Sequence, residues 1–323
     1  MTEFELIARY FDRPSAVSDA QTRLGIGDDC ALLAPTAGHV LAVSTDMLVA
    51  GRHFFDDVDP ASLGWKTLAV NLSDLAAMGA RPLGFTLAVA LPAIDERWLE
   101  GFSDGLFDCA TTFACPLVGG DTTRGPLNLC VTVFGEVVEG RALRRGAAQV
   151  GDDVWVSGTL GGAALGLRRA LERRDGRHGL PIDDPLQVAL ERPTPRIALG
   201  LALASIAHAA IDVSDGLAQD LGHVLRASGC AARLAIDDIP VAGALMDCDV
   251  DDRRRLAVTG GDDYELCFTA APSRRDDVAR AADASMTRVT RIGTITAGDG
   301  LTLLDAEGAD WRPAALTGFD HFA

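Results

Sequence analysis

Six times along the chain an apolar stretch runs into glycine or a small polar residue and then into aspartate: "GIGDD" (25–29), "VSTD" (43–46), "NLSD" (71–74), "VGGD" (118–121), "DVSD" (212–215) and "TGGDD" (259–263). Whatever fold the chain adopts must accommodate these carboxylates beside its core. Removing water from an ion costs several kcal/mol even after relaxation, on the order of a whole domain's stability. Taken singly, an aspartate after an apolar element reads equally well as a helix N-cap worth about 1 kcal/mol, and Asp28, Asp29 and Asp215 all fit that reading. Six together shift the balance, because few basic residues lie near them in the chain. Two carboxylates about 4 Å apart repel by about 4 kcal/mol at an effective dielectric of 20. Protonation relieves one or two such pairs but is a poor answer for four or more.

Around the acidic segments, strand-like and helix-like stretches alternate. Residues 3–11 form an amphipathic pattern, 39–48 a strand ending in polar residues, and 60–82 a helix with Pro60 near its start and Pro82 just beyond its end. A buried strand follows over 84–91, then a helix over 95–113 with Asp95 as N-cap, a strand running into a loop over 116–123, and a strand of period two over 127–138. After 141–152 the order restarts with a strand at 153–158, a helix at 161–174 and a polar loop at 174–185. Residues 209–229 read as a strand turning directly into a helix closed by Gly229, and 255–270 as strand, glycine-rich turn, strand. This predicts an α/β or α+β fold in two domains divided near 140–152, in line with 323 residues at roughly 150 per domain.

The net charge of −17 repels nucleic acid and anionic lipid, so neither is an expected partner. No apolar run approaches the roughly 20 residues that span a bilayer, and "MTEFELIARYFDRPS" lacks the pattern of a secretion signal. Seven scattered cysteines without a C-x-x-C argue against a zinc cage or a disulfide framework and for a reducing cytoplasm. Lys66 is the single lysine, which excludes the G-x-x-x-x-G-K-[ST] phosphate loop. Magnesium best answers the clustered acids: it takes oxygen ligands, keeps several waters, and binds through one or two carboxylates plus substrate phosphates. Calcium would need a dedicated loop spacing and zinc a cluster of His or Cys, and neither pattern occurs. Several Mg²⁺ ions would also admit a polyphosphate to an acidic protein, which points to phosphoryl transfer by positioning and charge neutralisation.

In their order along the chain, "GIGDDCALL", "VSTDMLVAGRHF", "GWKTLAVNLSDLAAMGARP", "VGGDTTRG", "VWVSGTLGGAALGL", "RPTPR", "IDVSDGLAQDL" and "GGDDYELCFT" resemble the thiamine-monophosphate kinase family. Single motifs such as "DVSDG" and "GGD" also occur in the related aminoimidazole ribonucleotide synthetases, selenophosphate synthetases and hydrogenase-maturation proteins. The combination with "GRHF" and "NLSDLAAMG" singles out the kinase.

The resemblance implies transfer of the γ-phosphate of ATP to thiamine monophosphate, with Mg²⁺ and also K⁺ as ions. It implies an N-terminal domain over 1–147 that binds metal and ATP and pairs across a homodimer into a barrel-like sheet. A C-terminal α/β domain over 148–323 would close the active cleft. Asp29, Asp46, Asp74, Asp121 and Asp212 would ligate magnesium with oxygens from Ser44 and Thr45, and Asp215 would hold a further ion. Gly120, Asp121 and Ser214 would contact the nucleotide and Arg145 its phosphates. His53 would meet the thiamine phosphate, and Asp262 and Phe319 the rest of the substrate. Three positions depart from the family pattern: Ser103 stands where an aromatic often stacks on adenine, Asp262 replaces a glutamate, and Phe319 a tryptophan. The alternatives are a related ATP-dependent synthetase and a non-catalytic binder of thiamine phosphates or nucleotide.

Overall fold

The computed structural model describes residues 2–13, 21–174 and 181–312. Its contacts divide the chain into two compact units, one of residues 1–75 with 80–140, the other of 76–79 with 141–323. The strands are β1 (Thr22–Leu24), β2 (Leu32–Leu33), β3 (His39–Val49), β4 (Arg81–Leu91), β5 (Leu117–Arg124) and β6 (Asn128–Val138), then β7 (Asp153–Ser157), β8 (Ala209–Val213), β9 (Ala231–Ala235), β10 (Glu265–Ala270), β11 (Val289–Thr296) and β12 (Gly300–Leu304). The helices are α1 (Glu3–Leu6), α2 (Pro60–Ala77), α3 (Glu96–Thr112), α4 (Gly162–Arg174), α5 (Pro185–Glu191), α6 (Ile197–Leu203), α7 (Leu217–Ser228), α8 (Val250–Thr259) and α9 (Arg275–Ala284). Among the described residues no helix is long and apolar enough to cross a membrane.

The first unit is built on a four-stranded sheet in the order β3-β6-β4-β5, with β4 and β5 parallel and the other pairs antiparallel. Period-two alternation buries Leu83, Phe85, Leu87 and Val89 of β4 and Leu129, Val131 and Val133 of β6. Helix α2 lies on that face: a Cβ on Gly135 of β6 would come within 2.9 Å of the Leu75 side chain. Helix α3 starts where expected, with the Asp95 carboxylate accepting from the N–H groups of Arg97 (3.0 Å) and Trp98 (3.1 Å). The two helices meet backbone to backbone. A Cβ on Gly105 would lie 1.8 Å from the Ala61 carbonyl oxygen and one on Gly64 2.0 Å from that of Phe102, so no side chain fits at either position.

The second unit carries a six-stranded mixed sheet in the order β12-β9-β11-β7-β10-β8, with only β12 and β9 parallel. Val154, Val156, Ile211, Val213, Leu217, Leu221 and Val224 belong to its core.

Two expectations are corrected. The two main sheets form α/β layers as predicted, but neither is barrel-like: each runs open from one edge strand to the other, β3 and β5 ending the four-stranded one, and β1 and β2 pair separately. Four strands are too few to close around their own side chains, since a filled barrel takes about eight. The stretch 255–259 is not a strand but the end of α8, started by Asp249, whose carboxylate accepts from the Asp252 N–H at 2.9 Å. Only Leu256, Ala257 and Val258 of that helix are buried, and three adjacent apolar residues mimic a strand when read alone.

The α2–α3 contact yields a test. Gly105→Ala must push the two helices apart and should cost about 2–3 kcal/mol in denaturant unfolding of the whole chain. An unchanged unfolding midpoint would refute the close approach.

Candidate active site

In the first unit the alternation of β3 sorts the predicted residues onto two faces. Ser44 and Asp46 turn toward α2. The Ser44 hydroxyl donates to Asp74 Oδ2 at 2.5 Å, and the Asp46 N–H donates to Asn71 Oδ1 at 3.0 Å. Asn71 and Asp74 stand one turn apart on α2, which brings Asp74 close to Asp46. Burial, then the charge of Asp74, push the Asp46 carboxyl up to about 6. Thr45 falls on the opposite face, its hydroxyl 2.9 Å from that of Thr132 on β6.

The register row Asp46–Val131–Leu87–Gly120 places Gly120, and not Asp121, level with Asp46. Gly120 has φ +156, and a Cβ there would lie 2.0 Å from the Leu87 carbonyl oxygen, so only glycine fits. Asp121 is exposed one position further along β5. Asp29 is also exposed, in a turn where its N–H donates to Asp28 Oδ1 at 2.8 Å. The Val49 N–H donates to His53 Nδ1 at 3.0 Å, so the neutral ring carries its proton on Nε2. Ser103 is buried on α3, where its hydroxyl accepts from Arg13 at 2.6 Å.

In the second unit, Asp212 is buried at the end of β8. The chain then turns through Ser214, Asp215 and Gly216 into α7. The Gln219 amide donates to Asp215 Oδ2 at 3.2 Å, and Asp220 Oδ2 accepts from all three turn N–H groups. Burial, against those amides and with the charge of Asp215, raises the Asp220 carboxyl to about 6. The turn at 259–264 locks onto this one: the Asp262 N–H donates to the Ser214 carbonyl and the Tyr264 N–H to that of Val213, both at 2.8 Å. Asp262 (φ +66) and Tyr264 (φ +50) are left-handed, and the Tyr264 hydroxyl donates to Asp262 Oδ1 at 3.2 Å.

Three acids of the second unit that sequence reasoning passed over have structural duties. Asp220 shapes the turn before α7. Asp263 meets the open start of α4, accepting from the N–H groups of Gly161 (2.7 Å) and Ala163 (3.4 Å), and burial pushes its carboxyl up to about 8. Glu265 is buried, takes the Ser157 hydroxyl at 2.5 Å and Arg196 Nε at 2.7 Å, and draws Arg196 in from the "RPTPR" segment. Arg145 is exposed in a 3₁₀ turn whose carbonyl accepts the Ser228 hydroxyl at 2.9 Å. With Arg226 it makes a basic flank on α7; burial first, then these two cations, hold His223 below its ordinary range. Phe319 lies outside the described residues.

Among the described residues, no group of three or more His, Cys, Asp or Glu side chains stands close enough together to hold a metal ion. The predicted convergence of six acids is thus reduced to smaller sets, Asp46 with Asp74 in one unit and, in the other, Asp212 on β8 followed by Asp215 and Asp262 on two interlocked turns. The donors are all oxygens, and the like-charge stress on Asp46 is the kind a hard divalent cation relieves, so the residues fit magnesium.

Residues 27–137 match the family described as AIR synthase related protein, N-terminal domain, and residues 149–306 match AIR synthase related protein, C-terminal domain. Fold and site together therefore define a two-domain protein of the AIR synthase-related class. Thiamine-monophosphate kinase of Salmonella typhimurium is 49% identical over 329 residues, covering 99% of this chain and 98% of its own. The crystal structure of thiamine-monophosphate kinase from Stenotrophomonas maltophilia superposes with a TM-score of 0.83 at 49% identity, covering 93% of this chain and 94% of that one. AaThiL complexed with AMPPCP and TMP gives a TM-score of 0.77 at 28% identity, with 90% and 89% covered. The chain belongs to the thiamine-monophosphate kinase family.

The strain at Asp46 predicts a sign. Folding raises this carboxyl from 3.8 to about 6, so the folded chain binds more protons than the unfolded one between those values. Its contribution is therefore destabilising and grows as pH rises from about 4 to about 6. Asp46→Asn should remove that dependence and raise the melting temperature of metal-free protein at pH 7 by a few degrees, about 1–2 kcal/mol, while abolishing turnover. A variant that melts lower at pH 7 would show that Asp46 holds the fold.

Proposed function

We propose that this chain transfers the γ-phosphate of ATP to thiamine monophosphate, giving thiamine diphosphate and ADP. The observation that carries this reading is 49% identity to a thiamine-monophosphate kinase over 99% of the chain. The likeness to AaThiL complexed with AMPPCP and TMP supports the pairing of nucleotide and substrate.

An oxygen of the acceptor phosphate attacks the γ-phosphorus in line, the bond to the β-phosphate oxygen breaks, and ADP leaves. Such a transfer leaves the protein little covalent work; orientation and charge neutralisation do most of it. Asp46, Asp74 and Ser44 would hold magnesium in the first unit and Asp212 and Asp215 in the second, with Asp29 and Asp121 as further oxygen donors; Thr45 turns to the opposite face of the sheet and takes no part. When bound, the metal neutralises the charge of the triphosphate. Gly120 brings bare backbone to the nucleotide, and Ser214 offers a hydroxyl from the turn before α7. The planar fork of Arg145 suits phosphate oxygens. His53, with its proton on Nε2, donates toward the substrate phosphate, and Tyr264 orients the Asp262 carboxylate toward the aminopyrimidine.

The uncovered face of the smaller sheet carries Leu41 (47% exposed), Val43 (57%) and Met47 (51%) at alternate positions of β3. A second copy of the chain covers this face in a homodimer, since apolar residues in a row on one strand are poorly placed against water.

Two experiments test these readings. Purified protein with Mg²⁺, ATP and thiamine monophosphate should form thiamine diphosphate and ADP in equal amounts; ADP without thiamine diphosphate, or binding without turnover, refutes the kinase reading. Val43→Glu should shift the sedimentation mass from dimer to monomer, and an undisturbed dimer would place the interface elsewhere.

A further inference from the structure

The turn that carries Ser214 and Asp215 is folded around a carboxylate that the phosphoryl transfer itself does not use. Asp220 stands in the first turn of α7, only 3% exposed. Its Oδ2 accepts from the backbone N–H groups of Ser214 (3.0 Å), Asp215 (3.0 Å) and Gly216 (3.1 Å). Three successive amides aimed at one oxygen make the kind of nest with which a chain binds an external anion. Here the chain supplies the anion itself. An ordinary N-cap side chain precedes its helix and serves amides inside the first turn. Asp220 works in the reverse direction, reaching back from inside the helix to the amides of the approach.

The other side of the turn is held independently. The carbonyls of Ser214 and Val213 accept from the N–H groups of Asp262 and Tyr264, and Gly216 takes φ +114. A Cβ on Gly261 would lie 2.5 Å from the Ser214 carbonyl oxygen, so the two turns are in contact with no room between them. The Gln219 amide, from the same helical turn as Asp220, fixes the Asp215 carboxylate at 3.2 Å. Carbonyls are thus pinned from the 259–264 turn and amides from Asp220, so the backbone that carries the half-buried Ser214 and Asp215 is held from both sides. A buried carboxylate beside other acids is a costly way to start a helix, because neutral Ser or Asn caps as well.

We propose that Asp220 is a positioning residue. It holds the 213–217 turn in the one geometry that presents Ser214 and Asp215 to the magnesium nucleotide beside Asp212 of β8. The inference rests on the nucleotide role given to that turn under the proposed function.

The test compares Asp220→Ala and Asp220→Asn in the full chain by steady-state kinetics at 25 °C, with melting curves alongside. Alanine leaves the three amides without an acceptor and should raise KM for MgATP by about tenfold while changing KM for thiamine monophosphate by less than about twofold. Asparagine keeps an acceptor oxygen in place and should bring KM for MgATP back to within about threefold of the wild type. A role confined to stability would lower the melting temperature of Asp220→Ala and leave both KM values untouched, which overturns the proposal. Hydrogen exchange on the wild-type chain keeps the test independent of whether the alanine variant folds. The amides of 214, 215 and 216 should be protected together, and exchange at the rate of an open turn overturns the proposal as well. Asp215→Ala separates the two levels. An unchanged KM for MgATP there sinks the nucleotide assignment of the turn, whereas protection of the three amides reports on Asp220 alone.

Discussion

Negative charge placed against backbone that water cannot reach is the constraint from which the rest of the molecule follows. Four acids meet it in different ways. Glu265 takes a guanidinium and a hydroxyl. Asp263 answers the unsatisfied amides at the start of α4, and its burial favours the protonated form. Asp220 gathers three amides. Asp46 has a second carboxylate beside it instead of a cation, and burial first, then that neighbouring charge, hold back its ionisation. A stressed pair of this kind costs stability in the empty protein and becomes an asset only when a divalent cation arrives.

The framework that holds these groups is stiff where chemistry needs it to be. Helices α2 and α3 touch through Gly64 and Gly105, which sets Asn71 and Asp74 against β3 at hydrogen-bond distance. In the second unit the turns at 213–217 and 259–264 are joined by backbone hydrogen bonds, and Gln219 and Tyr264 hold the carboxylates of Asp215 and Asp262. Catalysis that depends on orientation and charge neutralisation demands this kind of preorganisation.

Much of this was legible in the linear chain. Apolar runs at 39–48 and 84–91 and a period-two run at 127–138 located the long strands of the first unit, Asp95 and Gly229 marked a helix start and a helix end, and the acidic segments named the candidate residues. Other features were not legible because their causes are not local. The end of α8 looks like a strand since its three buried residues are adjacent. Thr45 and Asp46 are neighbours in sequence but sit on opposite faces of one sheet. Asp121 misses the row of Asp46 by one position of register, and Asp29 lies in an exposed turn.

By itself, then, the chain's sequence determined the order of strands and helices over 39–138, the acidic and oxygen-rich character of the site, and the family to which it belongs, because periodicity, turn residues and motif order are local properties. Only the tertiary structure decided which acid serves which purpose. Asp215, Asp220, Asp262, Asp263 and Glu265 are alike as letters. They differ in whether the folded chain brings a guanidinium, a set of amides or a single side-chain donor to each carboxylate, and for Glu265 and Asp263 that depends on contacts between segments far apart in sequence.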